Sequence, residues 1–378
     1  MIKVLYVFTS CKKSGPIQQM LNLIKNLDRE VFSPSLLTVY PEDESGLSVL
    51  EQYLPYVEHK LIRMSKKDML FGACGEFRRY VRELKPDVIH TLGVFPDYLV
   101  ERLGYPNHTF TCRNFVYDDY PDEYGKLMGT ALAKIHLRAI RSCRYVRCCS
   151  ESLHRIYRER LGLEIPFIRN GVDVSKFRVP TAEEKRACRE KLGIPQGKTV
   201  WVYGGVFNGR KNQAFLLDAV RGCRHFADSC LVLPGDGEQY AALKAEYGAD
   251  ERVLMPGNVL NMNEYLMASD LYVSTSKSEG MPNGVLEAMA TGLPVLLSDI
   301  DQHTELLRAS DLPFGSVYRR DERADFCEQF DRLFETQNEA MRENAATVAR
   351  DLFSAERMSR NYQDLYGRIG QETADYGV

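Results

Sequence analysis

The sequence predicts an α/β protein with two domains, each built around a parallel sheet covered by helices. Short apolar runs rich in Val, Ile, Leu and Tyr alternate with longer stretches of helical periodicity along the chain, which is typical of this class. The chain has 378 residues, more than one hydrophobic core usually serves, so two domains are expected. Apolar residues make up 44% of the sequence, which is enough to fill both cores.

The first half of the chain opens with a strand and contains three further short apolar runs. We predict strands at residues 2–8, 34–39, 87–91 and 107–112. The first strand leads through a short turn into a predicted helix over residues 16–27, and a second helix is predicted over residues 126–145.

The second half continues the alternation of strands and helices. We predict strands at residues 199–204, 230–234, 252–255, 271–275 and 294–298, with helices between them at 211–220, 238–246, 262–268 and 283–291. Between the two series, residues 168–173 contain an Asn-Gly turn, and Pro180 and a charged helix follow. We therefore predict one domain over residues 1–170 and another over residues 171–354.

The last stretch of the chain, residues 355–369, has helical periodicity and no strand after it. Its apolar side consists of Met358, Tyr362, Leu365 and Tyr366.

The charge of the chain argues against nucleic acid as a partner, because the net charge of -3 lacks the positive excess of nucleic-acid binders. The first 170 residues nevertheless carry a basic cluster, spaced mostly three or four residues apart: Lys134, Arg138, Arg141, Arg144 and Arg147. This spacing predicts one shared helical face. The face is either solvated or a patch that meets anionic lipid head groups or a phosphorylated acceptor.

The ten cysteines are expected to be reduced and mostly buried. Cys148 and Cys149 are adjacent and Cys143 lies five residues before Cys148, but no C-x-x-C or H-x-x-x-H pair completes a tetrahedral metal set. The chain opens on a strand pattern rather than a signal sequence, and no apolar run approaches the ~20 residues that span a bilayer. We expect a cytoplasmic protein with at most peripheral membrane contact.

The most informative stretch runs from Ser276 to Val295, and its pattern is a βαβ unit. A strand ends near residue 275, a loop carries Glu279, a helix opens near Asn283, and Gly292 ends that helix. Ligands of open parallel sheets bind at the carboxyl ends of strands, where unpaired helix amides suit a diphosphate. Glu287, on the second turn, is placed to accept hydrogen bonds from a ribose diol, and Glu279 lies nearer the sugar. The alternative is that both are surface acids.

Two glutamates with seven residues between them, in E-G-M-P-N-G-V-L-E-A-M-A-T-G-L-P-V, resemble the donor motif of glycosyltransferase family 4. The segment N-G-V-D-V-S-K-F at residues 170–177 is similar to the interdomain N-G-V-D-x-x-x-F of that family, and Ser150–Leu153 before it is also similar. The resemblance implies the GT-B fold, in which two Rossmann-like domains face a cleft. It further implies that the C-terminal helix, within residues 355–378, crosses back to the N-terminal domain.

The resemblance also implies an activity: transfer of a sugar from a nucleotide diphosphate sugar to a hydroxyl acceptor, with retention and without a metal or other cofactor. We expect a UDP-sugar donor and a saccharide or lipid-linked acceptor in cell-surface polysaccharide synthesis. No D-x-D pattern is found in the loops Gly204–Asn212 and Ser276–Asn283. The residues expected to contact the donor in this motif are Glu279, Gly280, Met281, Pro282, Asn283, Gly284 and Glu287.

A second phosphate element is the glycine-rich turn Gly204–Asn212, which follows a strand and precedes a helix. Gly205 lets the backbone approach a ligand, and Arg210 and Lys211 can neutralise charge on a departing diphosphate. In the family an arginine usually stands five residues before the lysine, but this chain has Val206 there. Lys211 is therefore the stronger candidate, and Arg210 is either the second cation or a solvated helix-start residue.

Further site candidates follow other strands. Gly15 lies in a turn that resembles a loop facing the donor phosphate, although a plain strand-to-helix turn fits as well. Arg113 occupies what looks like the place of a sugar-facing histidine, while His90 is a candidate with core packing as its alternative. The backbone of Asn258 and Val259, beyond the turn Gly235–Glu238, could hold the base.

Two acidic groups are more ambiguous than these candidates. Asp118, Asp119, Asp122 and Glu123 could orient the acceptor hydroxyl or form a solvated loop. The segment Ser298–Ile300 and Glu305 are expected to support the site from behind or to be purely structural.

Three rival functions remain for a chain of this pattern. A nucleotide-sugar epimerase or a sugar phosphorylase could share the two-domain plan, and a non-catalytic protein could bind a nucleotide sugar without turning it over. A nicotinamide oxidoreductase is disfavoured, because no G-x-G-x-x-G follows the first strand.

Overall fold

The computed structural model describes residues 1–42, 46–71 and 74–375, and the chain divides into two compact units. Residues 1–171 and the residues from 355 onward form the first unit, and residues 172–354 form the second. The prediction of an α/β protein with parallel sheets is confirmed, since each unit contains a six-stranded sheet.

The sheet of the first unit is parallel, in the order β3-β2-β1-β4-β5-β6. Its strands are β1 (Ile2–Phe8), β2 (Phe32–Thr38), β3 (Glu58–Leu61), β4 (Val88–Leu92), β5 (His108–Cys112) and β6 (Arg147–Cys148). The helices are α1 (Gly15–Lys25), α2 (Leu50–Tyr53), α3 (Lys66–Phe71), α4 (Gly75–Leu84), α5 (Val94–Arg102), α6 (Val116–Tyr124), α7 (Lys126–Ser142) and α8 (Glu151–Leu161). The interior positions of β1, from Val4 to Phe8, are fully buried, as expected of a strand covered on both faces.

The sheet of the second unit is also parallel, in the order β12-β11-β10-β7-β8-β9. Its strands are β7 (Thr199–Val202), β8 (Ser229–Pro234), β9 (Val253–Gly257), β10 (Leu271–Ser274), β11 (Val295–Ser298) and β12 (Gly315–Tyr318). The helices are α9 (Ala182–Leu192), α10 (Gln213–Ala219), α11 (Tyr240–Tyr247), α12 (Met262–Met267), α13 (Asn283–Ala290), α14 (Asp301–Arg308), α15 (Arg323–Thr336) and α16 (Glu339–Phe353). The order brings β7 and β10 side by side, so the loops that follow these two strands are neighbours.

The last helix, α17 (Ala355–Asp375), packs in the first unit. Its buried stripe of Met358, Tyr362, Leu365, Tyr366 and Ile369 joins a core cluster with residues of β1 and α1. The Tyr366 hydroxyl lies 2.6 Å from His90 Nδ1, and the Tyr362 hydroxyl lies 2.6 Å from Thr111 Oγ1. The predicted return of the C-terminal helix to the N-terminal domain is confirmed.

The prediction of a five-residue basic helical face is wrong at its C-terminal end. Helix α7 ends at Ser142, because Cys143 takes an extended conformation and the chain then enters β6. Arg147 lies in β6, is 9% exposed and donates to the Val146 carbonyl, whereas Arg144 forms an ion pair with Glu372. The exposed basic residues of α7 itself are Lys126, Lys134, Arg138 and Arg141.

Candidate active site

The centre of the candidate site is the carboxylate of Glu279, in the loop between β10 and α13. Its Oε1 accepts hydrogen bonds from Lys211 Nζ at 2.6 Å and from Ser276 Oγ at 2.6 Å. Its Oε2 accepts from Arg210 Nη1 at 3.1 Å. The Glu279 side chain is 8% exposed. The structure therefore brings the predicted acid and both predicted cations into one cluster.

The charges of this cluster reinforce one another. Burial alone would raise the pKa of Glu279, but Lys211 and Arg210 overcome that effect and lower it to about 2. Burial alone would lower the pKa of Lys211, but the attraction of Glu279 outweighs it, and the pKa is raised. Glu279 and Lys211 are consequently both charged across the neutral pH range.

The backbone of Lys211 is fixed from three directions. Its carbonyl accepts from the Tyr203 hydroxyl at 2.9 Å and from Thr275 Oγ1 at 3.0 Å. Its amide donates to Asn208 Oδ1 at 2.9 Å. Since Thr275 follows β10 and Tyr203 follows β7, these bonds join the loops of the two neighbouring strands.

The glycine-rich turn after β7 packs directly against the turn after β8. Gly235 has a φ of +149°, and a Cβ atom there would overlap the carbonyl oxygen of Gly205. A Cβ atom on Gly205 would lie 3.5 Å from Lys211 Cε. The two glycines thus permit a close approach of two backbones beneath the lysine stem.

Helix α13 begins at Asn283 and carries Glu287 on its second turn, as predicted from the motif. Glu287 is half-buried, while Gly280, Met281 and Pro282 before the helix are buried. Burial raises the pKa of the Tyr272 hydroxyl, and the nearby Tyr203, Glu279 and Glu287 raise it further. A Cβ atom on Gly284 would lie 2.7 Å from that hydroxyl oxygen. Tyr272 therefore lies within electrostatic reach of both motif glutamates.

Other donor-side candidates lie at the same edge of the sheet. Asn258 and Val259 follow β9, whose Gly257 carbonyl accepts from the Gly235 amide at 2.8 Å. Asn258 is exposed and Val259 is half-buried. The base-binding role of their backbone stays a prediction.

Sequence reasoning missed a buried polar layer behind Glu279. The Tyr203 hydroxyl lies 2.8 Å from Ser276 Oγ, and Ser298 Oγ donates to the Ser276 carbonyl at 2.6 Å. His303 Nδ1 lies 3.0 Å from Ser298 Oγ. Burial lowers the pKa of His303 to about 4, with Glu279 opposing that shift. Ser298 was predicted to support the site from behind, but Tyr203 directly follows β7 and His303 lies in α14, and no single motif contains both.

The candidates of the first unit make contacts within that unit. Arg113 Nη1 donates to Asn170 Oδ1 at 2.7 Å, and His90 is fully buried beside Tyr366. Gly15 is the first residue of α1 and is exposed. Asp118 forms an ion pair with Arg160, in which Nη2 donates to Oδ1 at 3.0 Å. The core-packing alternative accounts for His90, whereas roles for Arg113 and Gly15 stay predictions.

Among the described residues, one group of His, Cys and acidic side chains has ligand atoms within 4.8 Å of one another: Glu101, His108 and Cys143. His108 Nδ1 lies 2.7 Å from Glu101 Oε1, so these two side chains contact each other directly. The group belongs to the first unit and includes none of the donor-loop residues.

Two family models match the chain, one in each half. Residues 15–176 match Glycosyltransferase Family 4, and residues 197–336 match Glycosyl transferases group 1. The chain is a family 4 glycosyltransferase. The second match contains the whole Glu279 cluster, so the acid and the two cations lie in the segment that carries the family resemblance.

Two bacterial glycosyltransferases are similar in sequence to this family 4 glycosyltransferase. A UDP-Gal:alpha-D-GlcNAc-diphosphoundecaprenol alpha-1,3-galactosyltransferase of Escherichia coli is 27% identical over 314 residues, which cover 79% of this chain and 72% of the relative. The putative teichuronic acid biosynthesis glycosyltransferase TuaC of Bacillus subtilis is 28% identical over 58% of this chain and 54% of the relative.

Solved glycosyltransferases share the fold of the chain. Anabaena HepE in complex with UDP has a TM-score of 0.77 at 17% identity, over 97% of this chain and all of that chain. A glycosyltransferase from Rickettsia africae gives the same TM-score at 16% identity, over 97% of this chain and 98% of that chain. The fold of this family 4 enzyme is therefore GT-B, as the motif resemblance implied.

Proposed function

We propose that this enzyme transfers a sugar from a UDP-sugar to a hydroxyl group of a saccharide or lipid-linked acceptor, with retention of the anomeric configuration. The observation that carries the proposal is the pair of cations, Arg210 and Lys211, held beside Glu279 at the carboxyl ends of β7 and β10. Two preorganised positive charges stabilise a departing diphosphate. In this mechanism they take the place of a metal ion, so none is required.

The relatives support a UDP-sugar donor and an acceptor from glycan synthesis. The Escherichia coli relative uses UDP-Gal and a lipid-linked diphosphoundecaprenol acceptor by its name, and the Bacillus relative belongs to teichuronic acid biosynthesis. HepE was crystallised with UDP. We infer that the present enzyme works in cell-surface polysaccharide synthesis.

The two units divide the work in this proposal. The second unit holds the donor: Glu279 orients the sugar, Glu287 the ribose, and the backbone of Asn258 and Val259 the base. The residues before and at the start of α13, from Gly280 to Gly284, face the diphosphate together with Gly205. The first unit binds the acceptor, with Arg113 and Gly15 as its candidate contacts to the donor.

The membrane is the partner that we propose for the junction of α6 and α7. Leu127 is 92% exposed and Met128 is 63% exposed, next to the basic residues of α7. Apolar side chains flanked by cations are typical of surfaces that bind anionic lipid. Among the described residues, no helix is both long and apolar enough to cross a bilayer.

The proposed reaction is tested by incubating the purified enzyme with a panel of nucleotide sugars and detecting hydrolysis by mass spectrometry. The best donor is then offered with lipid-linked and soluble saccharide acceptors, and the anomeric configuration of the product is assigned by NMR. We expect a transferred product of retained configuration, formed equally well after treatment with a chelator. An isomerised donor or an inverted product would contradict the proposal.

A further inference from the structure

A notable feature of the candidate site is that the Glu279 carboxylate accepts hydrogen bonds from Arg210 and Lys211 at the same time. Each of its carboxylate oxygens accepts from one of them, and Oε1 also accepts from Ser276. The side chains of Arg210 and Lys211 are 29% and 19% exposed. They are thus partly accessible to a ligand while they remain paired with a buried anion.

The same two cations are the groups that the proposed function assigns to the donor diphosphate. A carboxylate carries one negative charge, and a diphosphate carries more charge and more acceptor oxygens. Because a charged hydrogen bond to phosphate is strong and specific, the diphosphate and the Glu279 carboxylate compete for the same donors.

We infer that Glu279 is a resident anion that holds Arg210 and Lys211 in position until the donor diphosphate takes them over. This inference rests on the proposed function and adds a step to it. The carboxylate is released to the sugar only when the cations have moved to the diphosphate. The site therefore couples the arrival of the diphosphate to the freeing of its sugar-facing acid.

Ser276 is the group that keeps the carboxylate in place during this exchange. Its hydroxyl donates to Glu279, and its carbonyl accepts from Ser298 Oγ at 2.6 Å. The Tyr203 hydroxyl, 2.8 Å from Ser276 Oγ, also contacts the Lys211 carbonyl. Ser276 is consequently a positioning residue, anchored by Tyr203 after β7 and by Ser298 at the end of β11.

Binding of a sugar-free nucleotide distinguishes this role from simple recognition of the sugar. In Glu279→Gln the shape of the side chain is kept and its charge is removed, so the cations lose their competing anion. We expect UDP and inorganic pyrophosphate to bind about five- to tenfold more tightly to this variant by calorimetry, while sugar transfer collapses. If Glu279 contacted only the sugar, UDP affinity would stay unchanged.

Matched variants complete the experiment. Glu328→Gln neutralises an exposed acid on α15 of the same unit and should leave UDP affinity within twofold of wild type. Adding Lys211→Met to Glu279→Gln should abolish the gain. Ser276→Ala should leave UDP affinity nearly unchanged and lower kcat more than it alters KM, because the freed carboxylate is no longer held.

The possible failures are distinguishable. If wild type binds neither UDP nor any other nucleoside diphosphate, the proposed function fails. If wild type binds UDP and folded Glu279→Gln binds it equally or more weakly, the resident-anion role is overturned. Should Glu279→Gln not fold, Glu279→Asp replaces it: its charge is withdrawn by one methylene from the cations, and a smaller gain in UDP affinity is expected. Equal or weaker UDP binding by Glu279→Asp would likewise overturn the role.

Discussion

At the scale of single residues, Glu287 offers the most direct test of the donor motif. The side chain is half-buried on the second turn of α13, and its charge, like that of Glu279, raises the pKa of the Tyr272 hydroxyl. In Glu287→Ala we expect a loss of donor binding and a fall of at least about a hundredfold in kcat/KM, because a charged hydrogen-bond partner of the ribose is removed. Initial rates at varied UDP-sugar concentration measure the effect. Unchanged kinetics would refute the assignment, and Glu328→Gln serves as the control.

The ionisation of Glu279 also predicts how the stability of the fold changes at acidic pH. The pKa of Glu279 is about 2 in the folded protein, below its value in an unfolded chain of about 4.5. A depressed pKa stabilises the fold above the unfolded value, and this contribution is lost as pH falls from about 4.5 toward 2. We expect wild type to lose more thermal stability than Glu279→Gln between pH 5 and pH 3. Parallel losses in melting scans would show that the ion cluster does not stabilise the fold.

The close approach of the Gly205 and Gly235 backbones can be tested by substituting one of the two glycines. Gly235→Ala combines a φ of +149° with an overlap between the new methyl group and the Gly205 carbonyl. We expect it to lower the free energy of unfolding by about 1–3 kcal/mol. Gly209→Ala is the matched control, because a Cβ atom there meets no atom within 4 Å. Chemical denaturation measures the free energy of unfolding of the two variants. Equal values would contradict a close approach of the two backbones at Gly235.

At the scale of elements, sequence periodicity predicts the buried strands and misses those with mixed character. The core strands β1, β4, β8 and β10 are rich in apolar residues and mostly buried. Strand β3 has the alternating sequence EHKL at the sheet edge, and β6 has two residues. Strand β12 was also missed: it lies at the other sheet's edge and is four residues long. Short edge strands carry too few buried side chains to show a pattern.

The centre of the site can be predicted from the sequence because the E-x7-E motif lies in one continuous segment. The buried polar layer behind it cannot be predicted in this way. Glu279, Arg210 and Lys211 lie in two segments with recognisable spacing. Tyr203, directly after β7, and His303, in α14, support them from behind, and only the order of the strands brings these residues together. A buried aromatic hydroxyl or imidazole also has the same sequence signal as an ordinary core residue.

The exposed apolar and basic residues of α7 predict binding to anionic lipid. Leu127 and Met128 are exposed beside Lys126, and Lys134, Arg138 and Arg141 follow on α7. We expect the enzyme to sediment with vesicles that contain anionic lipid, less at high salt, and the double change Leu127→Ser, Met128→Ser to reduce this binding several-fold. Leu260→Ser, which alters a residue 74% exposed in the second unit, is the control. Equal sedimentation with neutral vesicles would contradict an electrostatic contribution.

At the scale of the whole molecule, the two units differ in how the chain builds them. The second is one continuous segment, residues 172–354, whereas the first needs the return of α17. Helix α17 contributes Met358, Tyr362, Leu365, Tyr366 and Ile369 to a cluster that includes Tyr6 and Ile24. A chain that stops at residue 354 therefore exposes an apolar face that the full chain buries.

This difference predicts unequal autonomy of the two units. A fragment of residues 172–354 keeps its own sheet, its own helices and the complete cluster of Glu279, Arg210 and Lys211. We expect it to fold cooperatively and to bind UDP within about tenfold of the full chain, without sugar transfer, since the proposed acceptor contacts lie in the other unit.

A fragment of residues 1–354 should aggregate, because burying five large side chains contributes on the order of 10 kcal/mol. Circular dichroism melting and calorimetry test both fragments. A soluble, stable fragment 1–354 would show that α17 is dispensable for folding of the first unit. A folded fragment 172–354 that does not bind UDP would show that essential donor contacts lie in the first unit.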